Sequence, residues 1–379
     1  MQKKIVNPVT TLKYQHRRKT FELLLNQKEI SRNDISNVLR VSVQTAMKII
    51  KYFEDYGLAK CIGEKEAEFG RRPQLYSLEN NKAFYIGIIH ESNIIRAGIV
   101  NLGLELVLEE SIEMKNSVEE IIVEQTCEIV QILINKLEAK INTDVTILGI
   151  GLGLPGVVNE NTMEISFAPS LAISKAVNIK SYIEELKTKL HTEIFIENNI
   201  NAAVLGELKD ENDLVYLSLG SGIGIGIILD KKIRRGAHFR SGEIGSLATS
   251  NLDNNIENLI GLEALKTKFN FDKTNIDSMN PETKTQMIDF IATETTKIIA
   301  TTTAILDISD FIVGGLTLDL LGSELFAKIE EKIASLSGYN INLRPQSSSK
   351  SPLIGICKKS FDFCVDSLLF LDKLKEESV

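Results

Sequence analysis

A chain of 379 residues with 43% hydrophobic and 25% charged residues is long enough for two or three folded domains and too apolar for a disordered tail. Its net charge of −8 conceals an asymmetry, because residues 1–82 hold 16 Lys and Arg against 9 Asp and Glu, giving +7, and the rest hold 27 against 42, giving −15. A basic end on an acidic body is the footprint expected when only one domain touches a polyanion.

The first 19 residues carry several cations but no apolar run of the secretory kind. The longest uncharged stretches, Val145–Asn159 and Leu214–Leu229, are broken by Gly or Pro and fall short of a bilayer span. A cytoplasmic protein without membrane contact is therefore expected. Cys61, Cys127, Cys357 and Cys364 show neither ligand nor disulfide spacing and are expected to be buried thiols.

In chain order, helices are predicted over roughly 12–26, 32–39 and 43–56. Ser31 can N-cap the second, with Asp34 completing a capping box; Ser42 can cap the third, and Gly57 can end it in the left-handed region. The short turn between these last two is helix-turn-helix spacing. In the third helix Ala46, Ile49, Ile50 and Phe53 recur at i, i+3, i+4 and i+7, so they define the core face and Gln44, Lys48, Lys51 and Asp55 point outward. Gln44, Thr45 and Lys48 lie near the end that would enter a major groove and are the candidate DNA readers. Beyond Gly57, residues 58–61 and the run 69–78 predict a two-stranded wing, whose turn would expose Arg71 and Arg72 to phosphates or a minor groove.

From Ala83 the pattern becomes strand-rich. Strands are predicted over 84–89, 95–101 and 105–111, a long amphipathic helix over 118–140, and a buried strand over 145–151. Gly220-Ser221-Gly222-Ile223-Gly224 separates strands over 214–219 and 225–229, and Gly314-Gly315 follows a strand over 311–313. Residues 151–156 match a dinucleotide fingerprint in form, but Pro155 and the lack of a following helical pattern argue against that use.

The run Glu197-Asn198-Asn199-Ile200-Asn201-Ala202-Ala203 resembles the Glu-Asn-Asp-(x)-Asn-Ala-Ala signature of the ROK family, whose members are sugar kinases and sugar-responsive repressors. Gly70-Arg71-Arg72-Pro73 resembles the wing turn of its repressors. The resemblance covers nearly all of residues 83–370. It implies an α/β chain in which an N-terminal winged helix-turn-helix, residues 1–80, precedes a two-lobed actin-like ATPase (ROK) fold. The first lobe would take residues 81–207 together with a C-terminal helix in 353–379, and the second residues 208–352, with sugar bound between them.

In the family's kinases the signature aspartate takes a proton from the sugar hydroxyl as it attacks the γ-phosphate; Asn199 stands there and cannot accept that proton. The family's first phosphate loop, Asp-(x)-Gly-Gly-Thr, corresponds to Ile89-His90-Glu91-Ser92-Asn93, where Glu91 repels a triphosphate and Ile89 cannot serve a metal. The second loop, 220–224, is better kept, with Ser221 in place of a threonine. Pro155-Gly156 and residues 168–171 resemble the loops near the sugar, and Gly314-Gly315 the adenosine-side pair. Family sugar contacts map onto Asn198, Asn199, Glu243, Ser246 and Glu263, of which Asn198, Glu243 and Glu263 keep the family's residue types. The family's zinc ligands, a histidine and a Cys-(x)-Cys-Gly-(x)-(x)-Gly-Cys run, map onto Ser246, Asn254, Ile256 and Gly261, so no metal and no cofactor is expected.

The resemblance therefore implies a sugar-responsive repressor of a carbohydrate operon, laid out like the xylose-operon repressors, with an inactive kinase body. Its partners would be operator DNA and a sugar, and a homodimer is expected because one winged helix reads too few bases for an operator. Two other readings stay open on sequence: an active sugar kinase carrying a DNA-binding head, and a DNA-binding scaffold that has lost its ligand.

Overall fold

Hydrophobic periodicity and caps divide the N-terminal unit. In the computed structural model it comprises α1 (Pro8–Gln27), β1 (Ile30–Ser31), α2 (Arg32–Leu39), α3 (Val43–Asp55), β2 (Ala59–Glu64) and β3 (Gln74–Leu78). The structure describes residues 8–64, 72–91, 93–115, 118–142, 145–168, 171, 173–249, 254–271, 276, 279–336, 338 and 340–369. Ser31 caps α2 reciprocally with Asp34, Ser42 caps α3 by accepting from Thr45 N, and Gly57 follows with φ 64°. The three strands form an antiparallel sheet in the order β1-β3-β2, so the expected pair has a third member supplied by the two residues before α2.

Two five-stranded sheets make the body. The first is built from β4 (Phe84–Glu91), β5 (Ile94–Asn101), β6 (Leu106–Glu113), β7 (Ile147–Leu154) and, after a small sheet of β8 (Val157–Asn159), β9 (Glu164–Ser166) and β10 (Val177–Asn178), the strand β11 (Ile194–Asn198). Helix α4 (Thr126–Ile141) precedes β7, and α5 (Lys180–Leu190) precedes β11. The expected uninterrupted helix over 118–140 begins instead with π-type winding over Glu120–Gln125, which buries Ile121, Ile122 and Val123 together. After β11 comes α6 (Asn199–Glu207).

The second sheet holds β12 (Leu214–Leu219), β13 (Ile223–Leu229), β14 (Lys232–Ile233), β15 (Asp310–Gly314) and β16 (Asn342–Pro345). Its helices are α7 (Ile256–Ile260), α8 (Leu262–Phe269), α9 (Pro281–Leu306) and α10 (Leu316–Ala334), and the chain continues into α11 (Ser351–Leu369). Both sheets have one topology: an antiparallel meander, β4-β5-β6 or β12-β13-β14, whose first strand is joined on its other side by two parallel strands, β7 and β11 or β15 and β16. Each packs helices over its own apolar core, with Ile129, Leu133 and Ile183 in the first and Leu265, Ile291 and Leu325 in the second.

Helices α6 and α11 cross between the sheets. The crossing depends on glycine: a Cβ at Gly355 would lie 1.7 Å from Ala202 O, and one at Gly206 1.9 Å from Ser351 O. The start of α11 thereby meets the second sheet's neighbourhood, whereas its far end enters a third core with Phe21 and Phe53 of the N-terminal unit and Tyr85 of β4. The return of this helix to the first lobe was expected; its merger with the N-terminal unit was not. Of the thiols, Cys357 and Cys364 are buried, but Cys61 is exposed on β2 and Cys127 is half-buried. Among the described residues no helix is long and apolar enough to cross a membrane.

Candidate functional site

The cleft between the two sheets is built outward from the β11–α6 junction. Asn198 ends β11 and N-caps α6, its Oδ1 accepting from Ile200 N at 2.8 Å and Asn201 N at 3.1 Å, while its Nδ2 donates to Gly156 O at 2.7 Å. Most of its hydrogen-bonding capacity therefore goes to holding the Pro155-Gly156 loop and the helix start. Glu197, 2% exposed, lies beneath. Its carboxylate receives Lys359 Nζ of α11 at 3.0 Å, Asn201 Nδ2 at 3.0 Å and the guanidinium of Arg235, which arrives from the second sheet. Burial pushes this carboxyl up, but Lys359 and Arg235 outweigh burial and hold it below the usual carboxylate range.

Asn199 is tied to the first phosphate-loop position. Its Nδ2 donates to His90 O at 2.8 Å, and its Oδ1 is buried with no protein partner. His90 is itself fully buried, with Nδ1 3.1 Å from Gly153 O, and burial pulls its imidazole down to about 4, so the ring is neutral at pH 7. An aspartate at 199 in this pose would set two acceptors 2.8 Å apart, so the donor face of an amide is what the local geometry uses.

A cleft of about 400 Å³ opens from this junction, lined by His90, Glu91, Arg96, Asn198, Asn199, the 220–224 loop, Glu243, Glu257, Asp319 and Gln346 among others. Gly220, Ser221 and Gly222 form the hairpin between β12 and β13, while Ile223 and Gly224 already belong to β13. Glu91 stands 3.6 Å from Arg96, which also reaches Glu109 at 2.8 Å. Burial raises the Glu91 carboxyl, and Arg96 only partly offsets it. Glu243 is raised as well, by burial first and then by the nearby Glu257, against a smaller pull from Arg240.

The structure thus brings together three of the five expected sugar residues, Asn198, Asn199 and Glu243. Ser246 and Glu263 do not line the cleft. Ser246 is exposed and donates to Glu243 O at 2.8 Å, closing the turn after Glu243, and Glu263 is 74% exposed beside Lys266 at the start of α8. Their displacement has a local cause: Asn255 caps α7 and Ile256 N bonds back to Leu247 O, a course that turns Glu257 into the cleft. Asn254, Ile256 and Gly261, with Ser246, supply no thiolate or imidazole, and His238 is exposed.

On the N-terminal unit, Gln44 and Lys48 are exposed along α3 with Lys51 and Asp55, and Arg72 is exposed before β3. Thr45 is half-buried and its hydroxyl lies 3.0 Å from Ser42 Oγ, so it shares in the cap. Arg71, Pro169 and Ser170 fall outside the described residues. Val43 and Met47, 50% and 48% exposed, add apolar atoms to the same face, a feature that the core periodicity alone did not single out.

Two five-stranded sheets of one topology that share a cleft, joined to a basic helical head, define the class. The chain matches the ROK family over residues 85–355 and belongs to it. It is 30% identical over 245 residues to the xylose repressor of Caldicellulosiruptor bescii, an alignment covering 62% of this chain and 59% of that relative's length. Among solved structures, a ROK family transcriptional regulator described as a homolog of the E. coli MLC protein superposes with a TM-score of 0.74 at 18% identity, covering 95% of this chain and 98% of that one. The ROK hexokinase of Thermus thermophilus superposes with a TM-score of 0.60 at 21% identity over 75% of this chain and 99% of that one. At these identities the two structures establish the fold, and at 95% coverage the likeness extends into the N-terminal unit.

Sequence reasoning missed Glu257, Arg96 and Gln346 in the cleft and Arg235 and Lys359 beneath it. Glu257 reads locally as an acidic residue in a helix's first turn, and nothing within its own segment points to the 220–224 loop more than thirty residues away.

Proposed function

We propose that this chain is a sugar-responsive DNA-binding regulator, a repressor of a carbohydrate operon, whose kinase-type body binds sugar without phosphorylating it. The observation that carries the proposal is the course of α11. Ser349, just before it, and Pro352 in its first turn line the cleft, and its last turn carries the N-terminal unit: Arg17 donates to Leu369 O at 2.7 Å, Tyr52 of α3 to Leu368 O at 2.8 Å, and Arg18 pairs with Asp366 at 2.7 Å. Phe361 packs on Phe21 with ring centroids 5.7 Å apart. A helix of 19 residues is a rod of about 28 Å, so a shift of α6 against α11 at the cleft is delivered to the recognition helix as a rigid displacement.

In this reading residues 1–80 form a winged helix-turn-helix, Gln44, Lys48 and Thr45 face base edges or phosphates, and Arg72, with Arg71, tracks the backbone. Two copies of the chain would place two heads on one operator in the cytoplasm. Asn199 supports the absence of phosphoryl transfer, since its amide is a donor bonded to His90 O and offers no base to a sugar hydroxyl. Glu243 and the remaining donor capacity of Asn198 would meet sugar hydroxyls. Xylose is the first sugar to test, because the Caldicellulosiruptor bescii relative is named a xylose repressor.

A differential affinity of about 1–3 kcal/mol between two lobe arrangements changes operator binding roughly 5- to 150-fold, and the operator must change sugar affinity by the same factor. The test is a titration of operator DNA, taken from upstream of the chain's own coding region, with and without saturating monosaccharide, using fluorescence anisotropy. Glu243→Ala should remove the sugar response and leave ligand-free DNA binding unchanged. Equal operator affinities with and without every sugar that binds would refute the coupling.

A further inference from the structure

Three places on the cleft wall are already held by groups of the protein itself. Glu257 Oε2 lies 3.4 Å from Ile223 N of the glycine-rich loop, and it would stand 3.5 Å from a Cβ at Gly222 and 2.9 Å from one at Gly245, so the carboxylate rests against the loop's backbone. On the opposite wall, Gln346 Oε1 accepts from Gly315 N at 3.2 Å and from the Tyr216 hydroxyl at 2.8 Å, while its Nε2 donates to Asp319 at 2.7 Å. At the third position Glu91 and Glu109 hold Arg96, whose Nη2 also donates to Ser349 O at 3.2 Å.

We propose that Glu257 is a built-in anion that takes the place of phosphate on the 220–224 loop, and that the cleft therefore selects an unphosphorylated sugar and rejects sugar phosphates and nucleotides. Backbone amides at such loops attract anions, and a tethered carboxylate competes for that attraction within the chain, with no association entropy to lose. The charge balance acts in the same direction: among the described residues Glu91, Glu243, Glu257 and Asp319 line the cleft with one guanidinium, that of Arg96, already shared by two carboxylates. The turn that presents Glu257 is fixed by Asn255, whose side chain accepts from Asn258 N at 2.8 Å and whose backbone bridges to Ala248. The Glu257 carboxylate and that of Glu243 face one another's field, an arrangement suited to accepting hydrogen bonds from the hydroxyls of a neutral pyranose and hostile to an added phosphate dianion.

This inference rests on the sugar-sensing reading, and its test separates the two. Full-length protein is titrated calorimetrically with a panel of free monosaccharides, with the phosphate esters of the same sugars, and with pyrophosphate and magnesium ATP; Glu257→Gln and Glu257→Ala follow. The wild type should bind a free sugar about 100-fold or more tightly than its phosphate ester and should ignore pyrophosphate and ATP. Either variant should gain pyrophosphate binding by about tenfold or more, since removing the charge vacates the loop for an anion. The Gln variant preserves side-chain volume, so it decides the matter even where the Ala variant does not fold. A wild type that prefers the phosphate ester, or Gln and Ala variants that both bind pyrophosphate as weakly as the wild type, overturns the proposal. If no sugar of either kind binds, the sensing reading fails, and the pyrophosphate arm still decides the role of Glu257.

Discussion

Replacing Glu207 by glutamine should loosen the joint between the second sheet and the α6–α11 pair. Glu207 ends α6 with a fully buried side chain, and its Oε1 accepts from Ser347 N at 2.7 Å, Ser347 Oγ at 2.8 Å and Ser351 Oγ at 2.5 Å, while Oε2 accepts from Arg344 Nη1 at 2.7 Å. Burial pushes this carboxyl up, but Ser351, Arg344 and Ser347 outweigh it and hold the group below the ordinary carboxylate range. Glutamine keeps the volume and the acceptors toward the two serines; its amide nitrogen then confronts the guanidinium, and one charge-assisted hydrogen bond is lost. Such a bond contributes about 1.5–3 kcal/mol. Arg344 retains Glu207 O at 3.0 Å and Glu211 at 3.3 Å, so the roughly 3–5 kcal/mol cost of stranding a buried charge is not incurred. With Arg344 31% exposed, solvent screens part of its attraction, and a loss of about 2 kcal/mol at pH 7 is expected.

The pH dependence follows from the direction of the shift. A carboxyl whose folded pKa is depressed stabilises the fold above its unfolded value, near 4.3, and this contribution disappears as pH falls through the folded pKa. The penalty of Glu207→Gln should therefore be full at pH 7 and shrink progressively below about pH 4. Urea unfolding of wild type and variant at a series of pH values from neutral to acidic measures it. A loss smaller than about 0.5 kcal/mol at pH 7, the scatter of ordinary surface substitutions, would refute the reasoning, as would a penalty that does not diminish in acid.

Three further outcomes are expected. On the N-terminal unit, Gln44→Ala should relax preference at one base position by about 1–3 kcal/mol, whereas Arg72→Ala should weaken all sequences alike and flatten the salt dependence; competition binding with substituted operators at two salt concentrations separates these effects. Purified protein should transfer no phosphate from ATP to hexoses, pentoses or amino sugars, and Asn199→Asp should not restore transfer, because it opposes a carboxylate to His90 O and leaves the loops capped; radiolabelled product from the wild type would contradict this. Chelators should leave the melting temperature unchanged, since Ser246, Asn254, Ile256 and Gly261 offer no zinc ligands, and stoichiometric zinc with unfolding on its removal would count against it.

What the sequence determined by itself was chiefly local chemistry. Ser31, Asp34, Ser42 and Gly57 place the ends of α2 and α3 because caps act within one helical turn, and alternation or continuous apolar runs place β4 to β7, β12, β13 and β15, but not β11, β14 or β16. The identity of Asn199 at the signature's acid position was also legible, since it depends on residue type alone. Tertiary structure decided which of these groups meet. Glu197 and Lys359 are 162 residues apart, and they pair only because glycines at 206 and 355 let α6 and α11 cross at backbone contact. The same crossing sends the far end of α11 into the N-terminal core, burying Tyr52, a residue outside the apolar stripe of α3. Glu263 and Ser246 keep the positions that the resemblance gave them in sequence, yet the path through the Asn255 cap brings Glu257 to the cleft in their place. Caps and periodicities act over a few residues and can be read one segment at a time, whereas a site assembled from distant segments is fixed by how their backbones pack, which no single segment encodes.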